Sequence, residues 1–147
     1  MPTIAMNPVR IALGCLVAFI LLQGSDFLIH AQIPGGYYAD SKEIWRPEPE
    51  MMSKMWANFV GHGIVAISFT LLFQFAVVSN CGRIPCALIF AGVMALHQAG
   101  GAFIMWNVQP LPASYFVTWT AATLVQAALV SIALLFVLPK ATKSCSD

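Results

Sequence analysis

Charged residues are scarce in this chain. Only 9% of its 147 residues are Asp, Glu, Lys or Arg, whereas 59% are hydrophobic. A soluble globular domain carries about 25% charged residues, so the composition excludes that class and indicates an integral membrane protein. The formal net charge of +1 offers no strongly basic surface, and we therefore expect no nucleic-acid partner.

Charges are missing altogether from three intervals, 11–25, 55–82 and 84–139. The third interval is too long for one span, and Pro110 and Pro112 interrupt it, since proline ends a helix. The pattern predicts four hydrophobic helices near 9–31, 53–78, 85–106 and 113–138. Each is close to the roughly 20 residues that cross a bilayer. The predicted fold is all-α, a four-helix transmembrane bundle in one membrane domain covering 1–147.

The few basic residues predict the orientation. Outside the loop between helices 1 and 2, they lie at the two ends of the chain and between helices 2 and 3: Arg10, Arg83, Lys140 and Lys143. With four spans these places share one side of the membrane, which the positive-inside rule makes cytoplasmic. We therefore expect both termini inside and a structured outer loop between helices 1 and 2.

A polar stripe runs along the first helix. Gln23, Asp26 and His30 are spaced at i, i+3 and i+7, so they share one helical face. Asp26 is the only formal charge between Ile11 and His30. A carboxylate at bilayer depth costs about 3 kcal/mol or more, so this residue needs a partner or a function.

Other polar residues fall at matching depths in the next helices. Asn58 and His62 are spaced at i, i+4 in helix 2, and His97 lies at a similar depth in helix 3. The predicted intramembrane cluster therefore comprises Gln23, Asp26, His30, Asn58, His62 and His97. All of it lies in the outer half of the bundle, and we expect the inner half to be nearly pure hydrocarbon.

Four functions are compatible with this cluster. Its members can simply hydrogen-bond across the bundle, as polar residues in membrane helices often do. Imidazole and carboxylate groups can also bind a transition metal, with Asp26, His30, His62 and His97 as candidate ligands. Alternatively, His62 and His97 can hold a b-type haem by bis-imidazole ligation. Finally, Asp26 can carry protons in a small proton-coupled transporter.

The outer loop contains a second group of candidate residues, defined by aromatic and charged side chains: Tyr38, Trp45, Arg46, Glu48 and Glu50. Ion pairs between Arg46 and the neighbouring glutamates would form a network that closes over the bundle. The alternative is a solvated loop, in which each such pair contributes about 0–1 kcal/mol.

These motifs resemble a known group of proteins. The chain has Asp26-Phe-Leu-Ile-His30, then Tyr37 or Tyr38, then Trp45-Arg-Pro-Glu-Pro-Glu-Met51. This is similar to the D-F-L-I-H…Y…W-R-P-E-x-E-M pattern of small bacterial four-helix inner-membrane proteins that form a domain family of unknown function. The resemblance implies a multi-pass protein of the bacterial cytoplasmic membrane. It implies no substrate.

From these observations we expect a small non-catalytic accessory subunit of a larger bacterial membrane complex, respiratory or energy-transducing in type. Its partners would be the lipid bilayer and other integral membrane subunits. The alternatives are a metal- or haem-binding protein with an outward-facing site at Asp26, His30, His62 and His97, and a proton-coupled transporter that uses Asp26.

Overall fold

The structure, a computed structural model, describes residues 7–32, 42–78, 83–109 and 112–138. Four long helices fill most of these ranges: α1 (Pro8–Gln32), α3 (Trp56–Phe73), α4 (Arg83–Val108) and α5 (Ala113–Val137). A 3-10 turn (Lys42–Ile44) and a short helix, α2 (Glu48–Ser53), precede α3, which continues into a π-helical segment (Gln74–Val78). No strand occurs in the described ranges.

Each of the four long helices is long and apolar enough to cross a membrane. The predicted all-helical architecture, with four helices long and apolar enough to cross a membrane, is therefore confirmed. Three of the four predicted helices begin and end within about three residues of the observed bounds. The predicted second helix, 53–78, differs more. It begins at Trp56 because Pro47 and Pro49 first start the separate helix α2, and its last turns are π-helical rather than α-helical.

Local sequence explains how α1 begins. Asn7 precedes the helix, and its side-chain Oδ1 accepts hydrogen bonds from the backbone N–H groups of Val9 (3.0 Å) and Arg10 (3.2 Å). Pro8 follows at the first helical position, where its missing N–H costs no hydrogen bond. Asparagine as the cap and proline at the next position are both favoured at helix starts. These two residues therefore determine where α1 begins.

Two arginines gather three helix ends at one end of the bundle, which we call the terminal end. Arg10 donates from Nη1 to the carbonyl oxygen of Val137 at 3.4 Å. Arg83 donates from Nη2 to the carbonyl oxygens of Leu135 (3.0 Å) and Leu138 (3.1 Å). The last carbonyls of α5 lack helical partners and carry partial negative charge, so guanidinium groups stabilise this end.

The opposite end, which we call the loop end, contains α2 and the start of α5. There the ring of Trp45 lies 5.8 Å from the ring of Tyr115, centroid to centroid. Tyr115 in turn lies 4.9 Å from Trp119, one turn further along α5. The segment before α2 is therefore held against α5 by aromatic packing, which contributes beyond the buried area alone.

The helices pack in the order α3, α1, α5, α4. Helix α4 also meets α3, but it does so near the terminal end, where Phe90 makes edge-to-face contacts with Phe69 (5.0 Å) and Phe73 (5.5 Å) and where the π-helical segment lies against α4. Among the described residues, the ring contacts between α3 and α4 are confined to this terminal-end part. We call the space between the loop-end halves of these two helices the α3–α4 opening.

The core lies between the four helices, and its side chains are closely packed. Its buried members are Ala18, Leu22, Ala66, Phe69, Phe73, Ala87, Ala91, Ala127, Val130, Leu134 and Leu138. Small alanines on α4 let that helix approach α5 closely. Most large apolar residues outside this cluster are exposed, as expected for surfaces that face lipid chains.

Side chains of α3 and α5 approach α1 closely at Gly14. A Cβ atom at this position would lie 3.0 Å from Cγ2 of Thr70 and 3.2 Å from Cδ2 of Leu134. Glycine therefore lets α3 and α5 both pack against the same turn of α1. Gly24, further along the same helix, has no such neighbour within 4 Å.

We expect Gly14→Val to destabilise the bundle by about 1–3 kcal/mol, because the new side chain has no room between α3 and α5. Gly24→Val is the matched control in the same helix and should change stability little, since its surroundings are open. Reversible unfolding in detergent micelles measures both variants. Equal stability of the two would contradict the packing described around Gly14.

Candidate functional site

His62 is the centre of the polar contacts in the loop-end half. Its Nδ1 lies 2.8 Å from Oε1 of Gln23, and its Nε2 lies 4.0 Å from Oδ2 of Asp26. With the proton on Nδ1, the ring donates to the Gln23 oxygen and leaves Nε2 as the basic nitrogen. The three side chains, which we call the His62 cluster, join α1 to α3.

The distance between His62 and Asp26 determines how these two side chains can interact. At 4.0 Å, Nε2 of His62 and Oδ2 of Asp26 are too far apart for a direct hydrogen bond, but a single water molecule spans such a separation. The side chains of His62 and Asp26 are 20% and 29% exposed, so the cluster is only partly buried.

Helix geometry accounts for the meeting of these residues. Asp26 lies six residues before the end of α1 and His62 six residues after the start of α3. At about 1.5 Å per residue, both are about 9 Å from the loop end of their helices. Gln23 shares the Asp26 face at i, i+3. The two helices are antiparallel neighbours, so Asp26 and His62, which lie at the same depth, come close together.

The other predicted members of the intramembrane cluster are not joined to His62 by any contact that the structure describes. Asn58 is exposed one turn closer to the loop end, and His97 is exposed on α4. His30 belongs to α1, but its side chain lies outside the described part. Among the described side chains, no three His, Cys, Asp or Glu residues are grouped as a metal site would require. The metal and haem sites therefore stay predictions.

His97 has a distinctive position on α4. It lies seven residues after Phe90, and such residues share a helical face. Because Phe90 contacts α3, His97 is on the α3-facing side, where α3 has already separated from α4. Gln98 next to it is also exposed, and Gly101 has no atom within 4 Å of a Cβ position. The α3–α4 opening is thus lined by polar and small residues.

The expectation of a nearly pure hydrocarbon inner half is wrong. Thr70, Gln74 and Ser131 lie toward the terminal end and are at most 2% exposed. Thr70 Oγ1, Gln74 Oε1 and Ser131 Oγ have no hydrogen-bond partner among the described residues. Gln74 also begins the π-helical segment, a distortion that is frequent at functional sites. Polar groups therefore occur in both halves of the bundle.

Sequence reasoning missed these three residues because serine, threonine and glutamine are weaker signals than histidine and aspartate. A pattern was nevertheless present along α3. Asn58, His62, Thr70 and Gln74 belong to one row of residues spaced by four, in which only Ala66 is apolar. Such a row forms a continuous ridge on a helix. The sequence feature that could have indicated Thr70 and Gln74 was therefore this ridge and not any single residue.

The predicted loop motif is only partly described. Tyr38 lies outside the described residues, as does the side chain of Glu48. Glu50 Oε1 accepts hydrogen bonds from Lys54 Nζ at 2.6 Å and from Arg46 Nη1. Arg46 is 61% and Glu50 41% exposed. Among the described residues these ion pairs therefore form a solvated group along α2 instead of a cover over the bundle.

A double-mutant cycle tests the central hydrogen bond. Gln23→Ala and His62→Ala should show a coupling free energy of about 0.6 kcal/mol, the average for hydrogen bonds between membrane helices. Unfolding of the wild type, both single variants and the double variant measures it. Gln98→Ala paired with His62→Ala is the control and should show no coupling. Zero coupling between Gln23 and His62 would contradict the contact.

Glu50 provides a test by pH. The hydrogen bond from Lys54, and after it the one from Arg46, lowers the pKa of the Glu50 carboxyl below its usual value. A carboxyl with a lowered folded-state pKa stabilises the fold above its unfolded-state pKa of about 4.3, and this contribution is lost as pH falls through the folded-state value.

We expect NMR titration of Glu50 to show this low midpoint. Lys54→Ala should raise it more than Arg46→Ala, because the Lys54 hydrogen bond has the larger effect. A larger rise in Arg46→Ala, or a Glu50 midpoint at its usual value, would show that these ion pairs do not form in solution.

Comparisons with known proteins add no family to this description. No family model, no curated protein and no solved structure matches the chain. The resemblance carried by the D-F-L-I-H and W-R-P-E-P-E-M segments therefore stays a prediction. What is shown is a chain with four helices compatible with a multi-pass membrane protein, containing a Gln23–His62–Asp26 cluster within its spans.

Proposed function

We propose that this chain is a small non-catalytic accessory subunit of a larger membrane complex. The observation that carries the proposal is the exposure of His97 and Gln98 in the middle of a spanning helix. Both residues are exposed on α4, within the candidate membrane span Arg83–Met105. Such polar groups favour a protein neighbour over a surface of acyl chains.

The depth of His97 within the span makes its exposure significant. His97 is about 12 Å from the Met105 end of the span and about 21 Å from the Arg83 end, at roughly 1.5 Å per residue. Hydrocarbon chains offer no hydrogen-bonding groups, and polar side chains inside membranes normally face other helices or a water-filled cavity. A helix of another subunit, placed in the α3–α4 opening, would supply the missing neighbour.

The lining of the opening suits a helix. Gly101 has no atom within 4 Å of a Cβ position, and small residues let two membrane helices approach closely. Histidine and glutamine side chains can then hydrogen-bond across the contact. Together these features favour a transmembrane helix as the occupant over an annular lipid.

The proposed setting is the bacterial cytoplasmic membrane with both termini inside. Arg10 and Arg83 lie together at the terminal end, and Lys140 and Lys143 follow the last helix in sequence. This concentration of positive charge supports a cytoplasmic terminal end under the positive-inside rule. A respiratory or energy-transducing complex is the proposed host, because a carboxylate–imidazole pair within a span suits proton chemistry.

The alternatives have less support. A metal site would need at least three ligands in one group, and among the described side chains no three His, Cys, Asp or Glu residues form such a group. A proton-coupled transporter that uses Asp26 is favoured by one specific observation, the 4.0 Å approach of His62 Nε2 to the carboxylate. That candidate differs from the subunit proposal in requiring ion movement.

Site-specific photo-crosslinking tests the subunit proposal. A photoreactive amino acid at Ile104, which shares the His97 face and is 65% exposed, should form an adduct with a different membrane polypeptide. The same probe at Phe136, which is 83% exposed on α5, is the control and should react with lipid alone. His97→Leu combined with Gln98→Leu should weaken the Ile104 adduct, because it removes the polar contacts.

Two outcomes would contradict this proposal. If the probe at Ile104 forms no protein adduct in native membranes, the α3–α4 opening faces lipid. If the only adduct contains two copies of this chain, as mass spectrometry of the crosslinked peptides would reveal, the opening mediates self-association instead of binding to another subunit.

A further inference from the structure

The terminal end of the bundle carries positive charge without carboxylates to balance it. Arg10 and Arg83 lie there, and both donate hydrogen bonds to the last carbonyls of α5. Every Asp and Glu in the described ranges belongs to the loop-end half of the molecule: Asp26, Glu43, Glu48 and Glu50. Among the described residues, the two arginines therefore have no carboxylate neighbour.

The two guanidinium groups are close to each other. Arg10 binds the carbonyl oxygen of Val137 and Arg83 binds that of Leu138. Adjacent residues are about 3.8 Å apart and each hydrogen bond adds about 3 Å, so the two bound nitrogen atoms lie on the order of 10 Å apart or less. Both arginines also occupy the first turn of their helices, where backbone N–H groups add partial positive charge. Positive charge is therefore concentrated at this end.

Arg10 has hydrogen-bond donors left for a ligand. Its described contact uses Nη1 alone, at the long distance of 3.4 Å, and the residue is exposed. A guanidinium has further N–H groups on its other nitrogens, in a planar arrangement that matches the oxygen atoms of a phosphate. Arg10 can therefore hold the α5 carbonyl and bind a phosphate at the same time.

An apolar row begins beside Arg10 and follows the outer face of α1. Val9, Leu13, Leu16 and Ile20 are spaced at i, i+4, i+7 and i+11, which places them on one helical face. All four side chains are about half exposed or more, so no described part of the protein covers this face. The row is about 16 Å long at ~1.5 Å per residue. One leaflet contributes about 15 Å of hydrocarbon, half of the bilayer core, so the row matches the depth of one leaflet.

We propose that the terminal end binds an anionic phospholipid, with its phosphate at Arg10 and Arg83 and an acyl chain along the apolar row of α1. Both arginines lie within two residues of the start of their candidate spans, Pro8–Ile29 and Arg83–Met105, which is the level of the lipid phosphates. Basic groups between membrane helices bind anionic headgroups in this way. A free phosphate would use the charge but not the apolar row, and a zwitterionic lipid adds a cationic group that the arginines repel.

This inference goes beyond the subunit proposal and does not depend on it. The photoreactive probe at Ile104 reports on the α3–α4 opening, whereas lipid binding at the terminal end involves the outer face of α1. Liposomes that contain the purified full chain and no other protein are sufficient for the lipid test. Either proposal can therefore fail while the other holds.

Photo-crosslinking to lipids tests the site. A photoreactive amino acid replaces Val9 in liposomes of equal parts phosphatidylglycerol and phosphatidylcholine, and mass spectrometry identifies each lipid adduct. The control has the same probe at Phe27, which is similarly exposed and lies on the same face of α1, about five turns away near the loop end. The ratio of phosphatidylglycerol to phosphatidylcholine adducts should be about fivefold higher at Val9, the factor that corresponds to about 1 kcal/mol for one basic residue at an anionic surface. Equal ratios at Val9 and Phe27 would overturn the proposal.

Two variants at Arg10 assign the lipid preference to its charge. Arg10→Gln should lower the adduct ratio at Val9 toward the ratio at Phe27, because an amide retains hydrogen bonding but not the charge. Arg10→Lys should keep most of the preference. An undiminished ratio in Arg10→Gln would overturn the proposal. An equal loss in both variants would overturn it as well, because the shape of the Arg10 side chain and not its charge would then be responsible.

Competition separates a bound lipid from a free phosphate. Inorganic phosphate added to the liposomes should leave the adduct ratio at Val9 at the value measured in sodium chloride of the same ionic strength, which controls for the screening of charges. A ratio that falls further in phosphate than in chloride would overturn the lipid assignment, because the arginines would then bind the free ion. This measurement retains Arg10 and Arg83 and therefore does not depend on the folding of the Arg10 variants.

Discussion

The structure depends on one constraint, that a polar group inside a bilayer must find its partner within the protein or in trapped water. Hydrocarbon offers none. The carbonyls at the end of α5 meet this constraint through Arg10 and Arg83, and His62 meets it through Gln23. The same constraint makes the buried oxygens of Thr70, Gln74 and Ser131 informative, because no described residue of the protein hydrogen-bonds to them.

The spans were predictable because the information for them is local. Uncharged intervals and the prolines before α2 and α5 specify where helices can begin and end. The Gln23–His62 contact was only half predictable. Depth could be estimated from each sequence segment, and it placed Gln23 and His62 at nearly the same level. Which helices are neighbours depends on long-range packing around residues such as Gly14 and Ala66, which no local pattern reveals.

The outcome for His97 shows the same limit of local information. Matched depth was the basis for His62 and His97 as candidate ligands of one haem. In the structure α4 meets α3 through Phe90 near the terminal end, and the two helices separate before they reach the level of His97. Because these two aromatic contacts join the helices only near the terminal end, His62 and His97 lie on different surfaces. The contact of His62 with α1 and the α3–α4 opening lie on different sides of α3.

The arginine contacts at the terminal end have a consequence for biogenesis. Among the four spans, α5 is synthesised after the other three, and its carboxyl-terminal carbonyls bind arginines from the first and third spans. These contacts can therefore form only after α5 has been made. Because the start of α1 lies beside the end of α5, the first and the last of the four spanning helices are neighbours in space.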